Sequence, residues 1–346
     1  MYVYMYVCMY CLICAKTQHR KSLKKETVSV LFSVMFLLDT VMLFMSTGTF
    51  AWVGKRIELL TTHEDDVRAI TQWRRRYSTS DEMRYILYGV GDQLSPYDQQ
   101  LVDYIRSHIS QSSLTRPRQL SNPQAKGWSQ VDQSIFVDKL LSGRRNGFFI
   151  ECGAADGEQV SNSLFFELER NWTGLLIEAN PNYQRALLDR NRRAYVISAC
   201  LSPEPRPMTV RMKPAGVLSG IADKMHQSHA AWIGADKLPE VSVNCFPLNA
   251  IMAAINVSHV DYFSLDVEGP ELEILRTVDW KTLHIDVISI EYRIYGGEKI
   301  GIDQPATLKK LSDLRQFFRD IGVYREVGVI PAGSDAGGLD VVFARI

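Results

Sequence analysis

Glu151-Cys152-Gly153-Ala154-Ala155-Asp156-Gly157 sits at the end of a short apolar strand, residues 148–152, and leads into a predicted helix at 163–170. Gly153 and Gly157 let the backbone bend and approach a ligand closely. Downstream, the pattern predicts a strand at 174–178, a helix at 181–191 and a strand at 194–199. This alternation is that of parallel βαβ units, whose right-handed crossovers bring all strand C-termini to one edge.

Further along, 208–212 and 241–246 read as two additional strands around a variable loop, 213–240, followed by a helix at 248–255. The regular alternation returns with strand 261–266, helix 270–277, strand 286–292 and helix 306–321. The final strands, 324–330 and 339–346, are joined by a turn holding Gly333, Gly337 and Gly338 and so must be antiparallel. A parallel sheet ending in such a hairpin predicts a Rossmann-like, seven-stranded sheet of the class I methyltransferase type.

Polar residues collect at the ligand-binding edge of that sheet. Glu178 ends the second strand, about twenty residues past the turn, where a carboxylate can accept both hydroxyls of a ribose. Glu151, Asp156 and Glu158 surround the turn with no basic residue close by in sequence. That acidity disfavours a pyrophosphate and suits the sulfonium cation of S-adenosylmethionine. The inner glycine of G-x-G-x-x-G is also missing. Asp266 and Glu268 end the fourth strand and Glu291 the fifth. They are candidates to orient or deprotonate an acceptor hydroxyl, or to share a divalent cation, during in-line methyl transfer. Capping of the next helix is the competing reading for Asp266 and Glu268, and no dedicated metal site is assigned. Cys152 reads as a buried thiol. His226, His229, His259 and His284 read as structural or solvated residues.

Upstream of the domain, the chain divides into a tail at 1–27, an apolar run at 28–52 and a polar stem at 53–130. Helices are predicted near 64–77 and 96–110, and 112–127 reads as a linker. The run is long enough to span a bilayer and carries Asp39 as its one internal charge. Lys16, Arg20, Lys21, Lys24 and Lys25 precede it, which predicts a signal anchor with residues 131–346 luminal. Cys8, Cys11 and Cys14 are candidates for acylation. Asn171-Trp172-Thr173 and Asn256-Val257-Ser258 are glycosylation acceptor tripeptides consistent with a luminal domain. Cys152, Cys200 and Cys245 allow one internal disulfide at most. Lys plus Arg and Asp plus Glu both number 39, so no global field draws the chain to nucleic acid.

The segment Leu265-Asp266-Val267-Glu268-Gly269-Pro270-Glu271-Leu272-Glu273 resembles the hallmark of the FkbM methyltransferase family. Phe149 to Gly157, Leu176-Ile177-Glu178-Ala179-Asn180-Pro181 and Ile288-Ser289-Ile290-Glu291 extend the match. This resemblance implies S-adenosylmethionine held by Glu151, Gly153, Ala154, Asp156, Gly157, Glu178 and Asn180. It also implies O-methyl transfer to hydroxyls of glycans or small metabolites. Gln133-Ser134-Ile135-Phe136, Asn146 to Ala154 and Arg170-Asn171-Trp172-Thr173-Gly174 are similar to the branch that contains the membrane protein Star. That branch implies a single-pass protein of the endoplasmic reticulum, Golgi and endosomes. Its implied role is assisting export of membrane-bound precursors of epidermal growth factor receptor ligands, with methyl transfer not required.

Overall fold

In a computed structural model of the chain, the described residues are 95–125, 127–296, 301–331 and 338–346. The expected anchor at 28–52, the tail, most of the stem and the turn glycines Gly333 and Gly337 lie outside them. Among the described residues, no helix is long and apolar enough to cross a membrane.

The chain order is α1 (Gln99–His108), β1 (Ile109–Gln111), α2 (Gln133–Leu140), β2 (Phe148–Cys152), α3 (Leu164–Glu169), β3 (Thr173–Ile177), α4 (Pro181–Asp189) and β4 (Ala194–Ile197). Then come β5 (Cys200–Leu201), β6 (Met208–Lys213), β7 (Gly220–Ile221), α5 (Gln227–Trp232), β8 (Val241–Phe246) and α6 (Leu248–Ile255). The last elements are β9 (His259–Leu265), α7 (Glu271–Thr277), β10 (His284–Glu291), α8 (Gln304–Ile321), β11 (Tyr324–Pro331) and β12 (Gly338–Arg345).

The main sheet has eight strands in the order β1-β4-β3-β2-β9-β10-β12-β11. Strands β4 to β10 are parallel, and β12 and β11 close the sheet antiparallel, as the hairpin requires. The seven expected strands are therefore present, and β1 adds an eighth at the far edge. It pairs antiparallel with β4 through Ile109, Ser110 and Gln111. The helix predicted at 96–110 stops early because its last residues peel away into this short, polar edge strand.

Side chains alternate between the two sheet faces, and each face has its own core. Ile150, Leu175, Phe263 and Ile288 pack against α1, α6, α7 and α8, whereas Phe149, Leu176 and Tyr262 pack against α2, α3 and α4. A smaller sheet, β5-β8-β6-β7, stands beside the carboxyl edge. Cys200 of β5 lies opposite Cys245 of β8 and is disulfide-bonded to it, while Cys152 is free and buried.

Residues predicted as a linker are docked onto the domain. Asn191 donates to the carbonyls of Ser113, Arg116 and Pro117 and accepts from the Ser113 amide. Arg118 pairs with Glu167, and the amides of Ser121 and Asn122 both reach Glu158. The segment lacks apolar periodicity because polar side chains of the domain hold its backbone.

Candidate active site

The turn after β2 is pinned from two sides. The Gly153 amide donates to the Ile177 carbonyl, and the Asp266 amide donates to the Cys152 carbonyl, so the ends of β3 and β9 close on it. Gly153 has φ +89°, and a Cβ there would lie 2.0 Å from the Asp266 carbonyl oxygen. Only glycine allows this approach.

Glu178 lies buried beneath the turn. Its Oε2 accepts from the Ala155 amide at 2.7 Å and its Oε1 from the Asn180 amide at 2.6 Å. Burial raises its pKa against the pull of these amides. Each oxygen keeps a lone pair for a further donor such as a ribose hydroxyl. Asn180 caps α4 by accepting from the Asn182 amide and ties the 216–219 turn through Ser219.

Gly153, Ala155, Glu178, Tyr183 and Asp266 line a slot whose outer wall is Met212 and Ile221 of the small sheet and Val217 of the turn between them. Two of the expected cofactor residues, Gly153 and Glu178, line it directly. The others support it from behind. Ala154 is packed in the core, and Gly157, at φ +80°, approaches Leu187 of α4. The Glu151 carboxylate is taken up by the Asn162 amide and the hydroxyls of Ser161 and Ser163.

Contrary to the expectation of an uncompensated acidic rim, two of its acids have a basic partner. Arg190 pairs with both Asp156 and Glu158, and the fully buried Arg192 pairs with Glu167 while donating to the Gly157 carbonyl. Burial works against the Asp156 charge, but Arg190 and the amides of Gln159 and Glu158 hold its carboxyl below the ordinary range. Asp156 and Glu158 are thus structural and neutralised by Arg190, which the sequence places more than thirty residues away, while Glu151 is held by hydroxyls and an amide.

On the far side of the Asp266–Gly269 backbone lies a second cavity of about 450 Å³, lined by Glu268, His229, Lys224, Arg276, Arg293 and Lys310 among others. One oxygen from each of Asp266, Glu268 and Glu291 falls within 4.8 Å of the others, near enough to share a proton or a divalent cation. Burial raises all of them, and their mutual repulsion adds to it for Glu268 and Glu291. Asp266 reaches about 6, where a hydrogen bond with Glu291 opposes the rise. Glu268 also has φ +59°, a left-handed backbone of the kind held at functional sites. Gly269 beside it leaves room for the Lys224 carbonyl, 2.6 Å from where its Cβ would be.

Four further residues join this cluster without having been singled out as site residues from the sequence. His229 is buried with Nδ1 3.5 Å from Glu268 Oε2, and burial lowers its pKa. Lys310 pairs with Glu271 at 2.7 Å, and Asp340 of β12 stands across from Glu291 of β10. Glu271 itself is a helix acid, as expected for a first turn, yet its Oε1 also accepts from the amides of Val267 and Gly269. It shapes the loop that carries Asp266 and Glu268.

The profile of the FkbM methyltransferase domain matches residues 151–323, from the glycine turn to just past α8. The chain belongs to this family. Membership supports S-adenosylmethionine as the cofactor of the slot beneath Gly153. No curated protein matches the chain. Among solved structures, it is similar to the precorrin-6y C5,15-methyltransferase of Geobacter metallireducens, with 15% identity, 64% of this chain and 93% of that chain covered, and a TM-score of 0.33. TYW2 of M. jannaschii in complex with AdoMet is similar at 15% identity, covering 66% of this chain and 82% of that one, with a TM-score of 0.29. Likeness at this level leaves the chemistry of the FkbM domain to be argued from its own site.

Proposed function

We propose that the domain is an S-adenosylmethionine-dependent O-methyltransferase. The observation that carries this reading is the shared wall. Asp266 faces the slot that Gly153 and Glu178 line, and Glu268, two residues on, faces the larger cavity. One short segment thus separates a donor site from an acceptor site and supplies carboxylates where they meet.

S-adenosylmethionine bound in the slot supplies an electrophilic methyl group for in-line transfer. Gly153 and Glu178 would hold the donor, and Glu268 with His229 would accept the hydroxyl proton as the methyl group passes from sulfur to oxygen, the S–CH3 bond breaking as the O–CH3 bond forms. A carboxylate raised by burial is a stronger base than an exposed one, which suits it to a hydroxyl. The slot is narrow, bounded on its outer side by Met212, Val217 and Ile221. Calorimetric titration of the full-length chain with S-adenosylmethionine is expected to show one site, weakened at least tenfold in Glu178→Ala. Absence of binding to the unsubstituted chain would sink the enzyme reading.

A second reading follows the Star-branch resemblance, with the domain luminal in the endoplasmic reticulum, Golgi or endosomes and assisting export of membrane-bound growth factor precursors. Two observations support the compartment. Disulfides such as Cys200–Cys245 are rare in reducing cytosol. Asn171 and Asn256 are exposed and immediately precede β3 and β9, at the sheet edge opposite the slot, where glycans leave the site open. Chain made in secretory cells is expected to migrate faster after glycosidase treatment, and Asn171→Gln with Asn256→Gln should remove the shift. An unshifted native chain would count against luminal placement.

A further inference from the structure

At that opposite edge, His259 and His284 begin β9 and β10 and face one another in the parallel register. They are 25 residues apart in sequence and read there as isolated histidines, yet the strand pairing puts their ring centroids 5.3 Å apart. Asp286, two residues after His284 and therefore on the same side of β10, completes the group. The Nε2 atoms of His259 and His284 lie 3.0 and 3.5 Å from the same oxygen, Asp286 Oδ1. The three side chains thus converge, with one ligand atom from each within 4.8 Å of the others.

We propose that His259, His284 and Asp286 bind a divalent transition metal ion of the zinc class, at a site separate from the methyl-transfer pocket. Two imidazoles and a carboxylate form a donor set that favours zinc, copper or nickel over magnesium or calcium. The imidazoles are about half exposed, at 53% and 50%, so an ion can reach them and water can fill the remaining position. Arg144 Nη1 holds Asp286 Oδ2 at 2.5 Å and also pairs with Asp261, so the carboxylate is already turned with Oδ1 toward the rings. Such outer contacts orient ligands in metal sites. The positive charges of Arg144 and Arg345 nearby oppose a cation and set the affinity below that of a closed four-residue site. An ion here pins the starts of β9 and β10, the strands that lead to Asp266 and Glu291.

The test is a calorimetric titration of the full-length chain with zinc chloride alone in a non-chelating buffer. One equivalent is expected to bind, with an upward shift in unfolding temperature that EDTA reverses. Affinity should fall at least tenfold in His259→Ala and in Asp286→Asn, and remain unchanged in His108→Ala. Circular dichroism of each variant without zinc shows whether it is folded. Absence of zinc binding to the unsubstituted chain, or equal affinity in a folded His259→Ala, His284→Ala double variant, overturns the assignment.

Discussion

Gly153→Ala is expected to abolish S-adenosylmethionine binding and to cost the domain more than about 4 kcal/mol, a size reserved for backbone strain and core overpacking. Two penalties coincide at this residue. Its φ of +89° is strained for any residue with a side chain, and the added Cβ would lie 2.0 Å from the Asp266 carbonyl oxygen. The second dominates, because the obstacle is backbone and cannot rotate aside. Relief requires the end of β9 to move by about an ångström, and displacements of that size at a reacting centre cost about a hundredfold in rate. The same movement separates the donor slot from Asp266. Gly127→Ala is the control, since a Cβ at that position meets nothing within 4 Å. Paired urea unfolding and S-adenosylmethionine titrations would test this, and a folded Gly153→Ala chain binding within threefold of the unsubstituted one would refute it.

The legible part of this fold follows from how much each signal is local. The strand at Phe148–Cys152, the turn behind it and Glu178 are specified by a few adjacent residues, and the terminal hairpin by its glycines and strand spacing. The same holds for Asp266, Glu268 and Glu291, whose positions at strand ends are fixed once the strands are placed. What was not legible depends on residues far apart in sequence. Arg190 neutralises Asp156 and Glu158 from beyond β3, and Arg192 donates to the Gly157 carbonyl; both are reached only by folding α4 back across the sheet. His229 reaches Glu268 from a loop whose path no periodicity predicts. The Cys200–Cys245 bridge needs the small sheet's register, and residues 112–125 owe their place to Asn191, Glu158 and Glu167. Asp340 is a local signal, since it interrupts the otherwise apolar Leu339 to Phe343, and it is buried in that strand.

That acid carries the second large effect. Asp340→Asn is expected to stabilise the domain at pH 8 by up to about 4 kcal/mol while changing little near pH 4, at about 1.4 kcal/mol per unit of pKa difference. Asp340 is 3% exposed and its Oδ2 has no hydrogen-bond partner. Burial, with Asp266 adding its charge, raises its pKa to about 7. In the unfolded chain the same group titrates near 3.9. Between these values the folded state holds the proton and the unfolded state does not, so stability falls as pH rises and the full penalty is reached above pH 7. Asparagine keeps the shape and removes the titration. Urea midpoints at pH 4.5 and 8 separate this from a packing effect, which would shift both alike. The chemistry is expected to change little. Asp266 titrates at about 6, below Asp340, so Asp340 still holds its proton and carries no charge where Asp266 ionises. The acid limb of the activity profile in Asp340→Asn should therefore stay where it lies in the unsubstituted chain. A limb that moves to lower pH would show that Asp340 is already ionised beside Asp266 in the folded chain, and would refute the raised pKa on which the stabilisation rests.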